Sequence, residues 1–300
     1  MIPPIDTIRT PFPPGIARLF DKIHLLFLPD RTMFPAALDS RTAAAVYYFP
    51  FRFAGGKNQE CKKKEADEMQ QQPILIQGAM PVEVAALREA LEGREDQTLH
   101  GFSFSTGTVE GHPLVVSETQ IGTLNAALST AVGIGAYAPR AVINQGLAGA
   151  HVGELAVGDL VVGTATVALH GMQSPARAAG EGCAPFDWVF DPRSVPIPSD
   201  EALLRHFTQV PWPHGRAVAG VLGSGDLFSR EIDRIRWMQE KKGELCEEME
   251  SVGSYECCRR FGVPCIGVRV ISNNELTGEP FTDLVAGDLQ RWLLGQIACL

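Results

Sequence analysis

The chain has 300 residues, a formal net charge of −9, 45% hydrophobic residues and 20% charged residues. That length can bury a full core, and the acidic balance argues against a nucleic-acid groove, which needs clustered Lys and Arg. No stretch approaches the roughly 20 apolar residues that span a bilayer, so no membrane partner is expected.

Residues 1–72 carry scattered prolines, the short apolar pieces Ile23–Leu28 and Ala43–Phe53, and a hydrophilic run from Gly55 to Gln72. Periodicity is poor there, which predicts an irregular or disordered extension ahead of a domain at 73–300. Neither apolar piece has the basic flank and small-residue cleavage site of a secretory signal. Asp6, Asp21, Asp30 and Asp39 weaken a transit-peptide reading, whereas Arg9, Arg18, Arg31, Arg41 and Arg52 leave organellar targeting open; the expected setting is cytoplasmic. Lys62-Lys63-Lys64 is followed by Glu65, Asp67 and Glu68 and reads as a solvated linker.

From Pro73 the pattern becomes regular. Ile74–Gly78 predicts a strand, and Val82–Leu91 has helical spacing through Val84, Leu87 and Leu91. Phe102–Val109 and Pro113–Ser117 flank Glu110-Gly111 as a hairpin. Ile121, Leu124, Leu128, Ala131, Val132 and Gly135 predict a core-facing helix, with Gly133-Ile134-Gly135 as a close-packing point. Strands follow at Ala141–Asn144, Asp159–Ala168, Ala217–Leu222 and Val263–Ile271, with helices at about 229–241, 250–261 and 281–300. The alternation predicts an α/β domain with helices on both faces of a sheet. Residues 170–200 break it, and their Phe186, Trp188 and Phe190 fit either a cap over a flat base or a contact with a partner subunit.

The seven cysteines form no CxxC pair and have no His partners at zinc spacing, so reduced, buried thiols in an intracellular protein are expected. No P-loop, HExxH or GxSxG motif is present, which argues against P-loop nucleotide hydrolysis, zinc proteolysis and serine hydrolysis. Two distant carboxylates stand out instead. Glu83 follows the first strand, Glu250 opens a late helix, and the strand–turn–helix units between them can bring both to one sheet edge. An ionised carboxylate can accept both hydroxyls of a vicinal diol. It can also stabilise a cationic transition state, and a second carboxylate can orient a water. At a helix N-terminus, Glu250 is expected to be favoured in its charged form.

Six segments in order, IQGAMPVEVAAL, SETQIGTLNAALST, AVINQGLAGAHVGELAVGDLVVG, GSGDLF, CEEMESVGS and VPCIGVRVIS, span about residues 73–300. Together they resemble the 5′-methylthioadenosine/S-adenosylhomocysteine nucleosidases of the nucleoside phosphorylase superfamily. The resemblance implies a three-layer α/β/α sandwich with a central twisted mixed sheet, a homodimer, and hydrolysis of the N-glycosidic bond of a purine nucleoside without metal or organic cofactor. It places Glu83 as the carboxylate that orients the attacking water. Glu250 takes the ribose hydroxyls, Met249 packs under the sugar, Glu248 is a neighbouring acidic position, and Phe228 stacks on the purine. Ala79 and Leu147 complete the expected substrate-binding set. The superfamily's phosphorylases carry an Arg in the first loop, where this chain has Glu83, so hydrolysis is favoured over phosphorolysis.

The chain departs from the family in three places. The last strand reads Ile271-Ser272-Asn273-Asn274-Glu275, where the family ends in Ile-Ser-Asp and the Asp serves N7 of the departing base. Losing a positioned general acid costs about 10²–10⁴-fold. Three readings stand open: Asn273 recognises a 6-oxopurine, Glu275 supplies the proton, or the chain binds nucleosides with little turnover, as a storage-like protein would. Leu147 replaces a small hydroxyl residue, and His170 lacks its usual acidic neighbours.

Overall fold

Strands and helices alternate as expected and assemble around one mixed sheet. The computed structural model describes residues 71–182 and 185–300; the expectations for the extension lie outside these residues. Twelve strands occur among them: β1 (Ile74–Gly78), β2 (Glu92–Leu99), β3 (Phe102–Val109), β4 (His112–Glu118), β5 (Ala141–Ala150), β6 (Leu160–Ala168), β7 (Met172–Gln173), β8 (Val189–Phe190), β9 (Ile197–Pro198), β10 (Ala217–Ser224), β11 (Glu244–Glu248) and β12 (Cys265–Asn273). The main sheet runs β11-β10-β6-β12-β5-β1-β4-β3-β2, with β9 paired to β6. Its centre is parallel at β12-β5-β1-β4. β2-β3-β4 form an antiparallel meander. The tip of β11 also pairs with the end of β5, Glu247 opposite Gly149, which closes β5, β12, β6, β10 and β11 into a ring.

Period-two alternation in β1 shows why helices are needed on both faces. Ile74 and Ile76 enter a core with α1 (Pro81–Glu89), α3 (Glu201–Gln209) and α6 (Ala286–Leu294), through Leu87, Phe207 and Leu293. Leu75 between them enters the opposite core with α2 (Thr123–Tyr137) and α5 (Ser251–Phe261), through Ile134 and Tyr255. The chain therefore forms the expected three-layer sandwich. The remaining helix, α4 (Ile232–Lys242), packs Met238 against Val167 and Leu169.

Several expectations are corrected. The larger residues of the predicted core face of α2 lie outside, Ile121, Leu124 and Leu128 being 50%, 69% and 49% exposed, whereas Ala131 and Val132 pack partly buried against the core as expected. Ala126, Ser129, Thr130, Gly133 and Ile134 are the buried residues of the helix. Small residues let α2 approach the sheet and α5. Hydrogen bonds satisfy their hydroxyls there, Ser129 with Ser117 (2.7 Å) and Thr130 to Gln77 (3.0 Å). Gly133 does pack closely, since a Cβ there would lie 2.8 Å from Leu75. β2 is an exposed, charged edge strand that hydrophobic periodicity does not reveal. β11 occupies what reads as the lead-in to a helix, and α6 is shorter than expected, followed by a 3₁₀ turn at Ile297–Cys299. In 170–200, Phe190 stacks on Trp237 of α4 at 5.0 Å and Phe186 lies 6.2 Å from the same ring, which gives these aromatics an internal partner. Of the described cysteines, Cys246, Cys257, Cys258 and Cys265 are free and buried, and Cys299 is free and exposed.

Candidate active site

Glu83 is the third residue of α1, and its side chain turns back over that helix N-terminus. Oε2 accepts the Ala79 N–H (2.7 Å) and the Met80 N–H (3.0 Å), and Oε1 accepts the Leu147 N–H from β5 (2.8 Å). Only glycine fits beside it, because a Cβ on Gly146 would lie 2.6 Å from Oε1 and one on Gly78 would lie 2.8 Å from the Glu83 Cβ. Burial raises the Glu83 pKa above the ordinary value, and the backbone donors and the charge of Arg269 offset this only in part.

The second carboxylate group comes from the junction of β11 and α5. Glu248 is buried, and its pKa falls despite that burial because Arg269 of β12 sits against it. Its Oε2 also accepts the backbone N–H groups of Glu250 (2.9 Å) and Ser251 (2.8 Å), and its Oε1 accepts the Ser251 hydroxyl. All these bonds run to the protein, although Glu248 lines the cavity. Glu250 is the N-cap residue of α5 and accepts the Gly122 N–H (3.1 Å) and the Met249 N–H (3.2 Å). The expectation that the helix end keeps Glu250 ionised is corrected. Burial, then the Glu248 charge, pushes its pKa up to about 8, because desolvation and a like charge outweigh a terminal dipole.

A third group lies where β5, β11 and β12 end together. Phe228 is 49% exposed and lines the cavity beside Leu227, Gly149 and Ser272. Asn273 is buried next to Gly149: a Cβ on that glycine would lie 3.2 Å from the amide nitrogen. The Asn273 Oδ1 accepts the Ser272 hydroxyl (3.0 Å), and its Nδ2 donates toward Glu275 Oε1 at 3.5 Å. Glu275 is also paired with Arg230 (3.3 Å). The adjacent Asn274 has a local structural role, since its amide donates to the carbonyls of Val152 and Leu155 and accepts the Leu276 N–H.

One cavity is thus lined by Ala79, Glu83, Leu147, Phe228, Glu248, Met249 and Glu250. Asn273 adjoins Gly149 and Ser272, which line the cavity, and Glu275 lies 3.5 Å from the Asn273 amide; neither is in the lining. His170 lies in a different groove, with Leu124 and Phe261. Sequence reasoning missed Arg269, Glu247, Ile121, Ser272 and Phe281. Arg269 left a usable signal, as a lone Arg in the apolar strand Cys265–Asn273 must be paired if buried. Among the described residues, no set of three His, Cys, Asp or Glu side chains is gathered as a metal site.

A family model described as the phosphorylase superfamily matches residues 73–293. The 5′-methylthioadenosine/S-adenosylhomocysteine nucleosidase of Geobacillus sp. (strain WCH70) is 32% identical over 222 residues, 71% of this chain and 92% of that protein. Among solved structures, the Neisseria meningitidis nucleosidase of that name in complex with methylthio-immucillin-A is similar at TM-score 0.63 and 26% identity, covering 76% of this chain and 100% of that one. A Helicobacter pylori variant of such a nucleosidase, with one Asp replaced by Asn and 5′-methylthioadenosine in its active site, is similar at TM-score 0.63 and 25% identity, covering 76% and 99%. With a carboxylate-lined cavity at the sheet edge and a match that runs from β1 through α6, the chain belongs to the phosphorylase superfamily, in its 5′-methylthioadenosine/S-adenosylhomocysteine nucleosidase branch.

Proposed function

We infer that the protein is an N-glycosyl hydrolase that splits purine nucleosides of the methylthioadenosine and S-adenosylhomocysteine type into free base and sugar. The observation that carries this is the seat of Glu83. A phosphorolytic site needs open N–H donors and a free cation, but the Ala79 and Met80 N–H groups at the start of α1 are taken by the Glu83 carboxylate. The buried cation Arg269 is likewise paired with Glu248. What remains is a buried carboxylate, its pKa raised above the ordinary value by that burial, suited to drawing a proton from water.

In this reading Glu250 accepts the ribose hydroxyls, with Met249 beneath the sugar, and its charge faces the oxocarbenium-like transition state. Burial and the Glu248 charge raise the Glu250 pKa to about 8, and hydrogen bonds donated by a diol would favour its ionised form against them. Glu248, held by Arg269 and Ser251, fixes the backbone N–H groups around Glu250. Phe228 offers its exposed ring to the base, Ala79 and Leu147 wall the water side, and Asn273 with Glu275 behind it serves the departing purine.

A second reading concerns the base. An amide at position 273 donates a hydrogen bond but no proton at neutral pH, which favours a 6-oxopurine whose O6 or N7 accepts it. We also propose a homodimer whose partner is a second copy covering the outer face of α2. Ile121 lines the site while Leu124 and Leu128 continue its apolar face outward, so the surface is continuous with the site mouth. Light scattering at twice the chain mass is expected, and a monomer at working concentration would overturn it. For the activity, the protein is incubated with methylthioadenosine, S-adenosylhomocysteine, adenosine and inosine. Release of free base from at least one is expected, and tight binding without release from any would overturn the hydrolase reading.

A further inference from the structure

The segment that carries Phe228 is a loop between a strand and a helix. It leaves β10 at Ser224, and α4 does not begin until Ile232. Leu227 and Phe228 are each about half exposed. Two carboxylates hold the segment on either side of the ring. Asp226 accepts the backbone N–H (2.7 Å) and hydroxyl (2.8 Å) of Thr123 at the start of α2. Glu247 then takes Ser229 at two points: Oε2 accepts its backbone N–H (2.7 Å) and Oε1 accepts its hydroxyl (2.9 Å).

Glu247 is itself buried, and an isolated buried carboxylate is costly. Its neighbour is His151, the residue after β5, whose Nε2 lies 3.7 Å from Glu247 Oε2 while its Nδ1 lies 2.9 Å from Glu244 Oε1. All three side chains are almost wholly removed from solvent. Burial alone would lower the His151 pKa, but the two carboxylates outweigh it and raise the value to about 9. An imidazolium bonded to Glu244 and 3.7 Å from Glu247 offsets the buried charge of Glu247.

We propose that Glu247, backed by His151, is a positioning residue that clasps Ser229 and so holds the Phe228 ring in place to receive the base. It touches no reacting atom in this scheme, so it governs base affinity rather than bond breaking. The proposal rests on the nucleoside reading of the site.

The test compares wild type with Ser229→Ala, Glu247→Gln and the double variant. Affinities for adenine and hypoxanthine are measured by calorimetry, and kcat and KM on methylthioadenosine and inosine. A lost charge-assisted hydrogen bond predicts that base Kd and KM rise about tenfold in Ser229→Ala and more in Glu247→Gln, with kcat within about threefold. Because both changes act on the same two-point contact between Glu247 and Ser229, the double variant should be little worse than Glu247→Gln alone. Base affinity equal to wild type in the folded single variants, or a fall in kcat with KM unchanged, would overturn the proposal. If Glu247→Gln does not fold, Ser229→Ala decides by the same criteria. Wild type that binds neither base and cleaves neither nucleoside would instead overturn the reading beneath it.

Discussion

A carboxylate that accepts three backbone N–H bonds would ordinarily be held ionised far below neutrality, yet burial raises the pKa of Glu83 above the ordinary value. That balance suits a group that must hold a charge and still take a proton. Glu83→Gln keeps the shape but turns one acceptor into a donor that faces an N–H. Turnover is expected to fall by about 10²–10⁴-fold, while base and nucleoside affinity, read by calorimetry, stays within a few-fold. Near-native turnover would mean that the water is activated elsewhere. At position 273 the expected effect has the opposite sign. Asn273→Asp restores a group that can deliver a proton to N7, so cleavage of 6-aminopurine nucleosides should gain on inosine by about tenfold or more. An unchanged ratio would show that the amide does not set base choice and would point to Glu275, whose carboxylate lies at the amide nitrogen.

Elements differ in how plainly the sequence announces them. β1 and β12 are buried on both faces and read as apolar runs, which is why both were legible. β2 carries Glu92, Arg94, Glu95 and Asp96 on a fully solvated edge and is held by its pairing with β3, a long-range fact that no local pattern encodes. α2 misleads in the other direction. Leu124 and Leu128 face outward and, apart from Ile134, the buried residues are small, since close approach to α5 needs small residues: a Cβ on Gly253 would lie 2.1 Å from the Thr123 carbonyl oxygen. Of the candidate site, the segments around Glu83 and Glu250 were legible because their motifs are local. Arg269, which ties β12 to β11 through Glu248, signals a buried pair as a lone Arg in an apolar strand, but its partner was not legible because it lies on another strand. Removing one member of a buried ion pair strands the other, so Arg269→Met should destabilise the fold by about 3–5 kcal/mol. Chemical denaturation reads this directly, and a loss under about 1 kcal/mol would contradict the buried-pair account.

At the scale of the whole molecule, the buried charges at the sheet edge set the response to pH. Glu250 holds its proton to about 8 against an ordinary 4.5, and His151 to about 9 against 6.5. Both bind a proton more tightly folded than unfolded, so their contribution is full below the ordinary values and is lost as pH rises through the folded ones. The melting temperature should therefore fall as pH rises from about 6 to about 9, and Glu250→Gln should flatten the part below about 8. A melting temperature that rises over this interval would contradict the sign. In the proposed function the same buried network also decides which nucleophile the site admits, because Glu83 occupies the donors and Glu248 occupies the cation that phosphate would require. The most direct measurement is product identity, with methylthioadenosine or inosine as substrate, in phosphate-free buffer and again with phosphate added. The account predicts free base and free sugar at the same rate in both, whereas a sugar 1-phosphate product, or turnover only when phosphate is present, would contradict it.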